Sequence, residues 1–208
     1  MNKFITTFIV VVHFFGLIGI LFYPDFFLPF SFLSIAICSL GLLFTFNDFK
    51  KERAITFFSV AVLAFAVEVS GVMTGKIFGL YSYGNNLGPK WMGVPLIIGL
   101  NWSALLLIAQ QIVTHLLNVN KRIYSALLVA TLMTVFDLLL ELIAPQLDYW
   151  SFTHKTYAPV QNFIAWWLVS FIFALATFQY FRNKNRPAII YGIVQVCFFV
   201  ILEFALMS

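Results

Sequence analysis

The sequence predicts an all-α fold, a polytopic membrane bundle of about seven helices in a single domain, on three observations. The first is composition. Of 208 residues, 62% are hydrophobic and only 10% are charged, with a mean hydropathy of +0.97; a soluble domain carries roughly 25% charged residues. The second is the run of apolar stretches, each near the roughly 20 residues that cross a hydrocarbon core. The third is the placement of the basic residues. Lys3, Lys50, Lys51, Arg53, Lys121, Arg122, Arg182, Lys184 and Arg186 fall on one side, and Lys76, Lys90 and Lys155 on the other. Lys and Arg are retained on the cytoplasmic side, so the N-terminus is expected inside and the C-terminus outside, in the cell membrane. That topology accounts for the net charge of +4 without nucleic acid.

The spans follow in order. Phe4–Phe22 has no small-residue cleavage site after it and reads as an uncleaved first helix, not a signal peptide. Leu28–Phe46 is the second. Ala54–Met73, the third, holds Glu68, Gly71 and, just beyond, Gly75; the two glycines are four apart and would allow close packing on a neighbouring helix. Pro95–Leu117 carries Asn101 and Trp102 about two turns in. Ile123–Ala144 carries Asp137 and Glu141, four apart and so on one helical face, with Thr134 on the same stripe. Val160–Phe181 carries Asn162 and Trp166. The seventh, Ala188–Met207, holds Glu203 but no lysine for a retinal Schiff base.

Several chemistries lack their residues. Cys38 and Cys197 form no C-x-x-C pair, and His13, His115 and His154 are scattered, so neither a thiolate metal site nor a histidine-rich di-iron site is expected. No glycine-rich nucleotide motif is visible. Neither metal nor cofactor is expected.

The acids inside the spans carry the functional signal. A carboxylate at mid-bilayer costs roughly 2.5 kcal/mol or more, so such residues face the bundle interior and mark function, or satisfy buried polar groups between helices. Glu203, near a helix end, fits the structural role. Asp137 and Glu141 would repel each other if both were ionised in a low dielectric, so one is expected to hold a proton. Two connections on the same side add aromatic and polar residues. One, residues 70–95, is rich in Gly and Pro and contains Tyr81, Tyr83 and Trp91; it reads either as a re-entrant lid or as an interfacial loop. The other holds Asp148, Tyr149, Trp150, His154 and Tyr157.

These residues also carry a resemblance. Glu68, Gly71-x-x-Thr-Gly-x-x-Phe-Gly-x-Tyr-x-Tyr83, Leu87-Gly-Pro and Gly93-Val-Pro-Leu-x-Ile-Gly-Leu-x-Trp102 resemble the carotenoid biosynthesis membrane proteins that include the carotenoid 1,2-hydratases. That group contains the gamma-carotene 1′-hydroxylase and the bisanhydrobacterioruberin hydratase. Asp137-x-x-x-Glu141, Trp150 and Tyr157-x-Pro-x-x-Asn162-Phe-x-x-Trp166 resemble the family's second block, with departures at Leu142, Phe152 and Ala158. The resemblance implies cofactor-free hydration of the terminal double bond of an acyclic carotenoid: acid protonation, a tertiary carbocation, then water. It implies Asp137 or Glu141 as the acid and Glu68 as the water-positioning base. Tyr81, Tyr83, Trp102, Trp150 and Trp166 would line the cation pocket, Asn101 and Asn162 would place the water, and Asp148 and Tyr157 would join them at the substrate. The expected partners are a lipophilic carotenoid, membrane lipid and other carotenoid enzymes. A small membrane-type carotene cyclase shares the first step. A proton-coupled transporter or a lipid-binding scaffold is the alternative of another class; no internal repeat favours a transporter.

Overall fold

The computed structural model describes residues 2–46, 50–153 and 157–207; His154 and Lys155, both named above, lie outside the described residues. Its helices are α1 (Asn2–Phe22), α2 (Pro24–Phe27), α3 (Ser31–Leu43), α4 (Lys51–Thr74), α5 (Ile97–Gln111), α6 (Arg122–Glu141), α7 (Val160–Thr177) and α8 (Arg186–Met207). A 3-10 turn at Leu28–Phe30 joins α2 to α3, and a π-helical turn at Ile112–Leu116 extends α5. Counting α2–α3 as one segment, Pro24–Leu43, seven helical segments are long and apolar enough to cross a membrane. The fold is thus the all-α, multi-pass bundle that the composition predicts, and its exposed surface includes Phe4, Val62, Ile172 and Phe204.

The second segment starts four residues before the predicted Leu28. Pro24 occupies the first helical turn, where its missing N–H costs nothing. Pro29 then removes a donor inside the segment, and the chain tightens into the 3-10 turn at that place. In the fifth segment, α6 stops at Glu141, ahead of Pro145, and residues 142–148 run as turns.

Helix α5 lies at the centre, packed against α3, α4, α6, α7 and α8. Its sequence explains the position. Lipid tails are as apolar as Leu, so helices in a bilayer associate through close approach of small residues and through polar contacts. Ser103 Oγ donates to the Phe57 carbonyl of α4 at 2.8 Å, and Gln110 Nε2 donates to Ser125 Oγ of α6 at 3.0 Å. At Gly99, a Cβ would sit 2.3 Å from the Ala61 carbonyl oxygen. We therefore expect Gly99→Ala to force α4 from α5, lowering stability by roughly 1–3 kcal/mol as overpacking does. Thermal unfolding in detergent measures it; an unchanged midpoint would mean that the two helices do not need this approach.

The loops between α4 and α5 and between α6 and α7 are joined by strands. Strand β1 (Tyr81–Tyr83) pairs antiparallel with β4 (Trp150–Phe152), with Tyr81 opposite Phe152 and Tyr83 opposite Trp150. Strands β2 (Lys90–Trp91) and β3 (Val94–Pro95) form a short hairpin between them in sequence. Through this pairing the two connections form one stitched cover at the end of the bundle. Gly75, at φ +64°, ends α4 in the left-handed conformation, with its N–H on the Gly71 carbonyl at 2.8 Å. A Cβ on Gly71 would meet the Phe78 ring at 2.6 Å. These two glycines therefore turn and seat the cover, and do not serve a neighbouring helix as their spacing had implied.

The opposite end of the bundle holds most of the basic residues. There Arg53 is buried, with its Nε on the Tyr180 carbonyl at 3.2 Å and its guanidinium 3.8 Å from the Phe46 ring centre. His115 contacts the Arg182 carbonyl at 2.7 Å.

Candidate active site

Under the cover, four helices and two strands bring polar side chains into one chamber. Glu68 comes from α4, Asn101 and Trp102 from α5, Asp137 and Glu141 from α6, and Asn162 and Trp166 from α7; Tyr81 and Tyr83 descend from β1 and Trp150 from β4. All ten were named from sequence, and all ten line the same cavity of about 30 Å³. Glu68 lies six residues and Asp137 four residues before the ends of their helices, so both sit roughly 6–9 Å below the cover at 1.5 Å per residue.

Glu68 is 3% exposed and is held only by donors. Its Oε2 accepts the Tyr81 hydroxyl at 2.5 Å and the Tyr83 hydroxyl at 2.8 Å, and its Oε1 accepts the Trp102 indole N–H at 2.9 Å. Burial, then the Glu68 charge, pushes both tyrosine phenols well above their ordinary range. They therefore remain protonated donors at any physiological pH. The β1 alternation is what aims both: Tyr81 and Tyr83 are two apart, on the same side of the strand, with Ser82 exposed between them.

Asp137 and Glu141 share one donor. Asn162 Nδ2 lies 2.7 Å from Asp137 Oδ2 and 3.3 Å from Glu141 Oε1. Asp137 is 1% exposed, and its Oδ1 has no hydrogen-bond partner among the described residues. Glu141 is less enclosed and also interacts with the Trp150 side chain. Two groups of aromatic rings line the chamber. Trp102 stacks on Trp166 with ring centres 3.9 Å apart and planes 13° from parallel. Tyr81 packs edge-on to Tyr83 at 5.5 Å, and Tyr83 to Trp150 at 6.1 Å.

Two of the residues named from sequence lie elsewhere. Asp148 joins the two halves of the cover: its Oδ2 accepts the Asn85 N–H at 2.8 Å and its carbonyl the Asn86 N–H at 3.4 Å. Tyr157 is 75% exposed and outside the chamber. Thr134 returns its hydroxyl to the Ala130 carbonyl of its own helix at 2.9 Å, and Glu203 lies on α8 away from the chamber. Sequence reasoning did not assign Phe78, Ile98, Leu140 and Phe152 to the site, though all four line it. Leu140 was legible, being three residues from Asp137 on the same helical face. Phe152 follows Trp150 at strand spacing, a signal too short to stand out in a strand of three residues.

A family model described as "Carotenoid biosynthesis protein" matches residues 26–208. The chain belongs to that family. The chain is also 29% identical over 135 residues to the bisanhydrobacterioruberin hydratase of Haloarcula japonica. The match covers 62% of this chain and 46% of that protein, so it spans about half of the relative's length. No solved structure matches the chain. The family match takes in every residue of the chamber, from Glu68 to Trp166.

Proposed function

We propose that this carotenoid biosynthesis protein is a cofactor-independent hydratase acting on the terminal double bond of an acyclic carotenoid end group, giving a 1-hydroxy product. It works in the cell membrane with the chamber toward the outer face. The observation that carries the reading is the buried Asp137–Asn162–Glu141 arrangement, in which two carboxyl groups share one donor and one oxygen of Asp137 is left without a partner. Two carboxyls that share a donor suit a state in which one carries a proton, and the unpartnered Oδ1 is where that proton can be offered.

In this reading Asp137 gives its proton to the less substituted alkene carbon. The electron pair of the double bond forms the new C–H bond and leaves a tertiary cation on the neighbouring carbon. Trp102, Trp166 and Tyr83 present aromatic rings to that cation, worth roughly 2 kcal/mol or more when desolvated. Glu68, already holding three donors, supplies a fixed negative charge nearby and not a strong base. Water then bonds to the cation through oxygen and releases a proton to Glu141, whose carboxylate is the less encumbered. Return of that proton to Asp137 closes the cycle, and one water has been added. The chamber's volume of about 30 Å³ exceeds the roughly 10–15 Å³ that one water needs, and Asn101 faces it without a side-chain hydrogen bond among the described residues. The similarity to a protein named as a hydratase supports the hydratase reading.

Expression in bacteria that accumulate lycopene or gamma-carotene, followed by mass spectrometry of the pigments, tests this. A product heavier by one water, which mild acid removes again, is the expected result. An isomer of unchanged mass with a shifted spectrum would replace the hydratase with a cyclase, and unaltered pigment alongside abundant protein would overturn the enzyme reading for those substrates.

A further inference from the structure

The chamber does not end blindly. Ile98, Asn101, Leu140 and Trp150 line it and also line a second, larger cavity of about 390 Å³. That volume is within the range of small-molecule sites, roughly 300–1,000 Å³. The second cavity is a groove between α1 and α8 on one side and α3, α5 and α6 on the other. On α1 its lining runs from Val12 to Ile20 and on α8 from Tyr191 to Phe199, each a length of roughly 12 Å at 1.5 Å per residue. About half of its lining side chains are aromatic, and several are held by edge-to-face contacts: Phe136 with Phe199 at 5.9 Å, and His13 with Tyr191 at 5.2 Å and Phe198 at 5.5 Å. At its rim stand Phe15, Phe26 and Phe30, which are 60%, 65% and 49% exposed. In a chain of this hydropathy these rings face lipid.

We propose that this groove is the binding site for the polyene shaft of the substrate, loaded sideways from the bilayer past the exposed rim of Phe15, Phe26 and Phe30. The inference rests on the hydratase reading for the identity of the occupant. Continuity with the chamber is what selects that occupant: a chain lying in the groove has its end at Asn101 and Trp150, where the chamber begins. A stiff conjugated chain also suits this apolar groove better than a flexible acyl chain, which loses more rotational freedom on binding. The groove supplies the room that the chamber lacks. The chamber takes a water and the reacting carbons, and the groove takes the apolar chain behind them.

Gly16 and Ser34 mark opposite walls, on α1 and α3. A Cβ at Gly16 would meet Phe198 at 3.8 Å, an ordinary contact, so alanine fits there; a larger side chain projects into the slot. The test uses the full chain purified in detergent from cells that accumulate an acyclic carotenoid, with retained pigment measured per protein by absorbance and identified by mass. Wild type, Gly16→Ala and Asp137→Asn are expected to retain pigment. Gly16→Phe and Ser34→Trp are each expected to retain less by about tenfold or more, because the slot is overpacked, with circular dichroism matching wild type. Wild-type retention in both bulky variants overturns the proposal, and leaves a lipid chain as the groove's occupant. A wild-type protein that retains no pigment overturns it as well. Retained pigment of unchanged mass in wild type has a different consequence: the groove stands and the hydration reading falls.

Discussion

Asp137→Asn is expected to lower the rate of carotenoid hydration by about 10²–10⁴-fold, the contribution typical of a positioned general acid. Asparagine has nearly the shape of aspartate and can still accept from Asn162, which sits 2.7 Å from the Asp137 carboxyl. The packing under the cover is therefore preserved, and only the transferable proton is lost. Initial rates in isolated membranes, normalised to the amount of protein present, measure the effect. Glu141→Gln should reduce the rate less, since a water at the chamber can pass its proton to bulk more readily than an alkene can acquire one. Full turnover by Asp137→Asn would remove this residue from the acid's role and move the proton to Glu141.

The second large effect is structural. Glu68→Ala takes the acceptor from three buried donors at once, the Tyr81 and Tyr83 hydroxyls and the Trp102 indole. Each unsatisfied buried group costs about 1–3 kcal/mol, so a loss of roughly 3 kcal/mol or more is expected. The loss should be local at first, because the two tyrosines are what fasten β1 to α4. Limited proteolysis within residues 76–95, together with thermal unfolding in detergent, reads both parts. Glu68→Gln keeps one acceptor and should be milder. A Glu68→Ala protein as resistant to protease as wild type would show that strand pairing with β4 alone secures the cover.

Much of this was legible in the sequence. Helices in lipid satisfy their backbone internally, so apolar length alone nearly determines them; α4, α7 and α8 begin or end within a few residues of the predicted spans. Glu68, Asp137 and Glu141 stood out because a buried acid in a membrane needs a reason. The partners of those acids were less legible. Nothing local in Tyr81-Ser-Tyr says that it pairs with Trp150-Ser-Phe some seventy residues away, since strand pairing is a non-local property and each strand is only three residues long. Asp148 was misplaced for the same reason: a short acidic side chain in a loop can either face a ligand or satisfy backbone N–H groups, and the composition of the loop is the same in both cases. Gly71 and Gly75 carried a spacing that fits helix packing, whereas only the fold-back of Phe78 shows what the missing Cβ makes room for.

The groove was not visible at all in sequence terms. Its lining is gathered from α1, α2, α3, α5, α6 and α8 and from the loops between them, so no one segment of the sequence reveals it. Its continuity with the chamber arises from where α5 and α6 cross, a property of packing.

The most direct test of hydration at this chamber is isotopic. Membranes containing the protein are incubated with an acyclic carotenoid in water enriched in heavy oxygen, and separately in deuterated water, and the product is analysed by mass spectrometry. Protonation of an alkene followed by capture of the cation by water predicts a product hydroxyl carrying the heavy oxygen, and one deuterium fixed on the adjacent carbon. With Asp137→Asn the amount of doubly labelled product formed in a given time should fall by about 10²–10⁴-fold. A product that gains a deuterium but no oxygen would mean that the cation is trapped by a neighbouring double bond or loses a proton instead, and would contradict the account.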